Sequence, residues 1–217
     1  MTTLRRHPPT PRDHEPRAMG AARLSQLNRW RAQDRSGDLV DLFLQHSAPP
    51  LEEETGSRDD FRDRLAADIR RPGFTMVVAE TDDLVGCAFG FPVPGDGSWW
   101  HGFRGTLPRS VYQLTVSQNV FAVSHILVRP HAQDGVLVRR MQEHLLACRQ
   151  ATLGVTAIAA EDRAALAAFR TWGWQDLGRL RRPQATAPLR VLGLPLGERT
   201  VQRLGEDIGP STARGVE

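Results

Sequence analysis

Lysine is absent from this chain of 217 residues, and all 28 of its basic residues are arginines. We attribute this to GC-rich codon usage and not to mechanism. The arginines nearly balance the 25 acidic residues, and the net charge is +3. A basic patch interleaved with aromatic side chains, as nucleic-acid binding requires, is not evident, so we expect no nucleic-acid partner.

Long apolar runs and cysteines are also scarce. No run of 18 apolar residues occurs, so neither a membrane span nor a membrane partner is predicted. Residues 1–17 lack the apolar segment of a secretory signal. The only cysteines, Cys87 and Cys148, have no metal-site spacing, and we expect no metal. Without an export signal they are expected to be reduced, in a cytoplasmic protein.

The apolar residues predict one globular domain over residues 20–196. Residues 1–19 contain four prolines and mixed charges, which favours a disordered basic tail. Residues 197–217 are polar and are expected to be a frayed C-terminal tail.

Periodicity within the domain predicts helices before strands. Residues 21–33 fit either a helix or a first strand, while 38–46 and 57–69 have helical spacing. The predicted later elements are strands at 74–81, 84–92 and 120–128, a helix from Gly135, a strand at 155–160, a helix at 162–172, and strands at 174–180 and 188–196. This order is typical of an α/β layer architecture with a mixed sheet.

Residues 94–118 are too long for an ordinary connection, and they are rich in aromatic residues. Trp99, Trp100 and Tyr112 are therefore candidates for a lid or for the wall of a substrate site. Packing of the segment against the sheet is an equally good interpretation.

Residues 119–150 organise the rest of the chain. An apolar strand, Val120 to Val128, is stopped by Pro130, and a short loop leads into a helix with Val138, Met141 and Leu145 on one face. A strand, loop and helix in this order can place several backbone N–H groups around a phosphate at the helix N-terminus.

This stretch resembles the signature of the GNAT N-acetyltransferase superfamily. In that family a central strand ends in Val-x-Pro, and a loop of the form Arg/Gln-x-x-Gly-x-Gly/Ala opens a long helix; here Val128 and Pro130 are followed by Gln133. Residues 162–174 resemble a second stretch of the family, with Ala165 and Gly173 at matching positions. The resemblance implies an α/β fold with a GNAT-like mixed, splayed central sheet flanked by helices.

The resemblance also implies a site for acetyl-CoA or another acyl-CoA. Backbone N–H groups of the loop would hold the pyrophosphate, the strand would pair with the pantetheine arm, and a residue of the later helix would contact the thiol end. The matching positions are Ile126, Val128, Gln133, Asp134, Gly135, Val136, Leu137, Val138, Arg139 and Phe169. Val136 and Val138 replace small residues, so their Cβ atoms are expected to weaken cofactor binding. Phe169 replaces a tyrosine that commonly protonates the leaving thiolate.

His125 is the candidate catalytic base. GNAT proteins often carry a glutamate near this point of the strand, and a histidine suits the same work at neutral pH. A packed core histidine is the alternative. Ser124 is expected to face the other side of the strand. Asp162 is interpreted either as a helix cap or as a contact to the substrate ammonium.

The sequence therefore leads to two functional hypotheses. The first is an N-acetyltransferase that moves an acyl group from acyl-CoA to a primary amine of a small molecule or peptide. The second is a catalytically lapsed GNAT-fold binding or regulatory protein. Val136, Val138 and Phe169 are the residues that separate the two. Members of the family are often dimers, and a homodimer is an expectation from the resemblance alone.

Overall fold

A computed structural model describes residues 22–46, 58–130, 135–149, 151–183 and 187–208. Its described part contains an eight-stranded sheet with helices on both faces. The strands are β1 (Arg23–Leu27), β2 (Thr75–Glu80), β3 (Leu84–Pro92), β4 (Phe103–Arg104), β5 (Val120–Val128), β6 (Leu153–Ala159), β7 (Gln175–Leu180) and β8 (Leu189–Pro195). Their order across the sheet is β1-β2-β3-β5-β6-β8-β7-β4.

The described helices are α1 (Arg29–Asp34), α2 (Ser36–His46), α3 (Arg58–Ile69), α4 (Arg109–Val116), α5 (Gly135–Ala147), α6 (Arg163–Thr171) and α7 (Glu198–Ile208). One face of the sheet packs on α5 and α6, through residues such as Met141, Leu145 and Leu166. The opposite face is covered in two halves, by α1 to α3 over β2 and β3, and by α4 and α7 over β6 to β8. None of the described helices is long and apolar enough to cross a membrane.

The middle of the sheet forks. Among the described strands, β5 and β6 are the only parallel neighbours, and they pair where Val120, Phe121 and Ala122 face Leu153, Gly154 and Val155. Beyond Ala122, β5 continues beside β3 while β6 continues beside β8. The Thr156 hydroxyl donates to the Val123 carbonyl at 3.1 Å, just beyond the last strand pair. The predicted mixed, splayed sheet flanked by helices is confirmed.

The ambiguity over residues 21–33 resolves into a strand followed by a helix. Asn28 separates β1 from α1, and its side chain accepts a hydrogen bond from the Arg31 N–H at 3.0 Å. This satisfies one of the N–H groups that the first turn of a helix leaves without a partner. The apolar residues Leu24, Leu27 and Trp30, which recur every three positions, therefore belong to two elements, the first two to β1 and the third to α1.

The segment at 94–118 packs against the sheet. It contains a 3-10 turn at Ser98–Trp100, then β4, which pairs with β7, then α4. Trp100 and Val111 are buried in the cluster that α4 and α7 form over the sheet. The Trp100 indole N–H donates to the Thr115 hydroxyl at 3.0 Å, which accounts for its buried polar atom.

The expectation of a frayed tail after Leu196 is wrong for the described part of that segment, because Glu198–Ile208 is a helix. Leu204 on this helix has no exposed surface, and the Asp207 carboxylate accepts the Ser110 N–H at 2.8 Å. Val201, Leu204 and Ile208 recur at spacings of three and four, so a helical signal is present within a segment that is otherwise polar. The tail expected at residues 1–19 lies outside the described residues.

Candidate active site

The fork contains a β-bulge at Ser124. His125 lies opposite Phe89 in the β3–β5 pair and Val123 lies opposite Gly90, so Ser124 is an extra residue with no partner of its own. Strand alternation would send Ser124 and His125 to opposite faces. The bulge overturns that expectation, because a bulge bends the strand and re-aims neighbouring side chains. Both side chains reach the face covered by α3.

Ser124 connects Asp68 of α3 to His125. Its hydroxyl lies 2.7 Å from Asp68 Oδ2 and 3.0 Å from His125 Nδ1. A carboxylate only accepts hydrogen bonds, so the single hydroxyl proton of Ser124 goes to Asp68. Ser124 Oγ then accepts the proton on His125 Nδ1. This assignment leaves the lone pair of His125 on Nε2, which is the form of a base.

The imidazole of His125 lies between aromatic rings. It stacks on Phe89 with 5.0 Å between ring centroids and meets the edge of Phe61 at 5.8 Å. Although part of the residue is exposed at the fork, burial of the ring lowers the pKa of His125 to about 4. The Asp68 carboxylate opposes this shift, and the Arg64 guanidinium adds to it. The ring is therefore neutral at physiological pH.

Asp68 is held in turn by Arg71. Its carboxylate lies 3.0 Å from Arg71 Nε, and its side chain is only 13% exposed. The sequence analysis missed Asp68, although a signal exists. Asp68 lies seven residues after Phe61 and three after Leu65, which puts a carboxylate on the buried face of α3.

The residues expected to bind the cofactor divide into two groups. Gln133 and Asp134 lie outside the described residues. Ile126 and Val128 lie on β5 past the fork, and Val128 is buried. The Arg129 N–H donates to the carbonyl of Val85, near the start of β3, at 2.9 Å. Because backbone groups alternate along a strand, those of Ile126 point away from β3, toward the gap between β5 and β6.

The start of α5 presents Gly135 and Val136 to solvent, and the Val136 side chain is 62% exposed. Leu137 is buried in the core, and Val138 packs against it. Arg139 extends outward and pairs with Glu143 at 2.7 Å. Among the predicted loop residues that the structure describes, Gly135 and Val136 are exposed at the N-terminus of α5, whereas Leu137 and Val138 pack in the core.

The other candidate residues are dispersed. Phe169 is 8% exposed, and its ring lies 5.2 Å from that of Trp172 and 5.3 Å from that of Trp174. Asp162 caps α6, since its carboxylate accepts the Ala165 N–H at 2.9 Å. Tyr112 is 61% exposed on α4.

Trp99, in the aromatic segment at 94–118, contacts the charged side chain of Arg182. The guanidinium of Arg182 lies over its ring, 5.2 Å from the centroid, and donates to its carbonyl at 2.6 Å. Sequence reasoning missed Arg182, which lies in the loop between β7 and β8 and is far from Trp99 in the chain.

Comparisons with known proteins support the fold. No family model matches this chain, and no curated protein matches it by sequence. Among solved structures, it is similar to the ribosomal-protein-S18-alanine N-acetyltransferase of Escherichia coli, with a TM-score of 0.54 and 15% identity over 82% of this chain and 97% of that one. A putative GNAT-family acetyltransferase of Desulfovibrio desulfuricans gives a TM-score of 0.56 and 14% identity over 82% and 100%. A variant of the spermidine N-acetyltransferase SpeG of Vibrio cholerae gives 0.51 and 12% over 86% and 98%. The chain therefore has the GNAT fold.

Proposed function

We propose that this GNAT-fold chain is an acyl-CoA-dependent N-acyltransferase whose acceptor is a primary amine of a small molecule or peptide. The observation that carries the proposal is the forked pair β5 and β6 with His125 beside the bulge, held by Ser124 in the form that is basic at Nε2. The structural neighbours are named for an alanine of ribosomal protein S18 and for spermidine, both of which offer amines.

The described residues fit an acyl-CoA in part. The gap past Ala122 presents the backbone of Ile126, and α5 begins with exposed residues whose N–H groups suit an anion. Trp172 lies close to the start of α5, since a Cβ placed on Gly135 would be 3.4 Å from its indole. The expectation of weakened binding rests on the valines at positions 136 and 138, which replace small residues. When bound, an acyl-CoA would supply the acyl group as a thioester.

The chain's own residues would then act on the amine. His125 Nε2 accepts a proton from the attacking nitrogen, directly or through water. With a pKa of about 4, His125 is neutral and available as a base near pH 7, but it is a weak base. The backbone N–H of Ile126 can donate to negative charge that develops on the acyl oxygen. Phe169 supplies no proton, so the leaving thiolate is left to solvent.

A lapsed enzyme is the second candidate, and one observation favours it. Phe169 packs against two tryptophan rings, is largely buried and has no hydroxyl to donate a proton. In that reading the fork serves to bind a ligand or partner, and His125 is a structural residue.

Titration calorimetry with acetyl-CoA separates these readings. We expect the native chain to bind weakly, and Val136→Gly, which removes the exposed one of the two valine side chains, to bind about tenfold to a hundredfold more tightly if one phosphate contact is regained. Tight binding by the native chain would show that the loop avoids the valine side chains. If neither form binds, the enzyme reading is lost.

Turnover is tested by release of the CoA thiol with a panel of primary amines. We expect His125→Gln to lower kcat by about a hundredfold, since positioned bases typically contribute that much or more. Ser124→Ala should lower kcat less, because it removes only the group that fixes the tautomer. Arg62→Gln, on the solvent face of α3, serves as the matched control and should leave the rate unchanged. Binding of acetyl-CoA without release for any amine would favour the lapsed reading.

A further inference from the structure

A cleft of about 720 Å³ opens on the face of the sheet that carries His125. Its walls come from the turn after α3, the end of β3 and the start of the 94–118 segment. The lining residues that matter here are Arg71, Phe91, Val93 and Asp96. Phe91 and Val93 give the cleft an apolar floor, and Arg71 gives it a charged wall.

Arg71 links this cleft to the candidate base. Its guanidinium lies over the ring of Phe91, 4.3 Å from the centroid, while its Nε contacts Asp68. Asp68 bonds to Ser124, and Ser124 bonds to His125. These contacts place Arg71 on the same side of the sheet as the imidazole of His125, with Asp68 and Ser124 between them. Asp68 occupies only the Nε end of the guanidinium.

Arg182 is not one of the lining residues, but it lies beside the cleft, because its guanidinium contacts Trp99, three residues beyond the lining residue Asp96. It is anchored by the ring and carbonyl of Trp99, and it is close enough to Arg71 for the two positive charges to repel. Burial lowers the pKa of the Arg182 guanidinium, and the charge of Arg71 lowers it further. Among the described residues, no carboxylate offsets the charge on Arg182.

The carboxylates nearby do not neutralise this pair. Asp68 is shared between Arg71 and Ser124. Asp96 lines the cleft at its exposed end, where its Oδ1 accepts the Ser98 N–H at 2.8 Å. Arg71 on the wall of the cleft and Arg182 beside it, held on Trp99, are most readily stabilised by an oxyanion, which accepts hydrogen bonds from both.

We propose that this cleft binds the acceptor amine, and that Arg71 and Arg182 select acceptors that carry an oxyanion, either a carboxylate or a phosphate. The inference rests on the proposed acyltransferase function. The anionic group lies between the two guanidinium groups, the apolar body of the acceptor lies on Phe91, and the amine points toward His125. Polycationic amines are disfavoured by the same two charges.

The kinetic test compares acceptors that differ only in the anion. L-phenylalanine is paired with L-phenylalaninamide, and O-phosphoethanolamine with ethanolamine. We expect kcat/KM to favour the anionic member of at least one pair by about tenfold or more, which corresponds to one charge-assisted contact. The first pair reports a carboxylate and the second a phosphate. The amine of the amide is less basic, which favours the amide, so a preference for the acid reflects recognition.

Variants assign the preference to the arginines. Arg182→Gln should raise KM for the preferred acid about tenfold to a hundredfold and change its neutral partner less than about threefold. Arg182→Lys should give an intermediate loss, because it keeps the charge but not the fork. Arg62→Gln should change neither acceptor. Equal loss for acid and neutral acceptors, or faster transfer to spermidine than to either acid, would overturn the inference.

A binding measurement separates this inference from the proposed function. The melting temperature of the full chain is measured with each acceptor, with and without acetyl-CoA, for the native protein and Arg182→Gln. Stabilisation by an acid that Arg182→Gln abolishes supports the anion site even if no acyl transfer occurs. Transfer without discrimination between acids and neutral amines overturns the anion site and leaves the acyltransferase. Neither stabilisation nor transfer overturns both.

Discussion

At the scale of single residues, His125 shows how a fold changes the chemistry of a side chain. Phe61 and Phe89 exclude water from its ring, and Ser124 orients the ring by its Nδ1 proton. The first effect keeps the imidazole neutral, and the second decides which nitrogen holds the lone pair. A histidine so placed is neutral and able to accept a proton at physiological pH, but it accepts one weakly.

The same residue should make stability depend on pH. The pKa of His125 is about 4 in the folded chain and near its ordinary 6.5 in the unfolded chain. Between these values the unfolded chain binds a proton that the folded chain does not, so stability is lost as pH falls through this window. We expect a loss on the order of 2–3 kcal/mol between pH 7 and pH 4 from this group. Urea unfolding at a series of pH values measures it.

The matched variant for this measurement is His125→Gln, which keeps hydrogen-bonding capacity but does not titrate. Its unfolding free energy should fall less steeply over the same window, since carboxylates alone then contribute. Asp68 and Arg64 face the ring with opposite effects on its pKa, so Arg64→Gln should make the native slope slightly shallower. Parallel curves for the native chain and His125→Gln would contradict the assignment.

At the scale of elements, the bulge in β5 depends on the strand beside it. Gly90 of β3 lies opposite the bulge, and a Cβ there would overlap the Ala122 carbonyl oxygen and crowd the Phe121 ring. Only glycine permits the two backbones to approach this closely. The close approach at Gly90 and the extra residue at Ser124 are therefore parts of one local structure.

Gly90→Ala should accordingly destabilise the protein and displace the site. We expect a loss of about 3 kcal/mol in unfolding free energy, the upper range for overpacking, because backbone and not a flexible side chain must move. Guanidinium unfolding measures the loss. Gly37→Ala in α2 is the control, since a Cβ there meets nothing within 4 Å, and it should be neutral or stabilising by up to about 1 kcal/mol. Similar values for the two variants would show that the bulge tolerates a side chain.

These elements also show what the sequence could reveal. The strand Val120–Val128, the helix from Gly135 and the hairpin of β2 and β3 follow from apolar runs and periodicity, and the structure confirms them. The bulge does not follow, because an extra residue at Ser124 leaves a run of buried residues looking uninterrupted. Asp68 reaches Ser124, and Arg182 reaches Trp99, only because the sheet brings distant parts of the chain together, which no local pattern encodes.

At the scale of the whole molecule, α7 completes one of the three apolar clusters. Leu204 is fully buried beside Val111 of α4 and Leu180 of β7, and Asp207 bonds to the start of α4. The same cluster holds Trp100, which anchors the 94–118 segment behind the proposed acceptor cleft. Residues after Leu196 therefore stabilise the apolar cluster on which the 94–118 segment packs.

Deletion of residues 197–217 should lower the melting temperature by more than about 8 °C. A fully buried leucine contributes about 2–5 kcal/mol, and each kcal/mol shifts the melting temperature by roughly 2–4 °C in a chain of this size. Leu204→Ala tests the same contribution without truncation and should cause most of the shift. Val201→Ala is its control on the same helix, because Val201 is 49% exposed and its loss should change the melting temperature by less than about 2 °C.

Deletion of residues 1–20 is the comparison at the other end of the chain, and it removes nearly as many residues. We expect it to leave the melting temperature almost unchanged, since four prolines and mixed charges leave little apolar surface to bury. Calorimetric scans of the two truncated proteins and the full chain measure how much each end of the chain contributes to the melting temperature. If the C-terminal truncation melts like the full chain, α7 does not contribute to the core and Leu204 is replaceable. If the N-terminal truncation melts much earlier, residues 1–20 pack on the domain, and the sequence-based boundary is wrong.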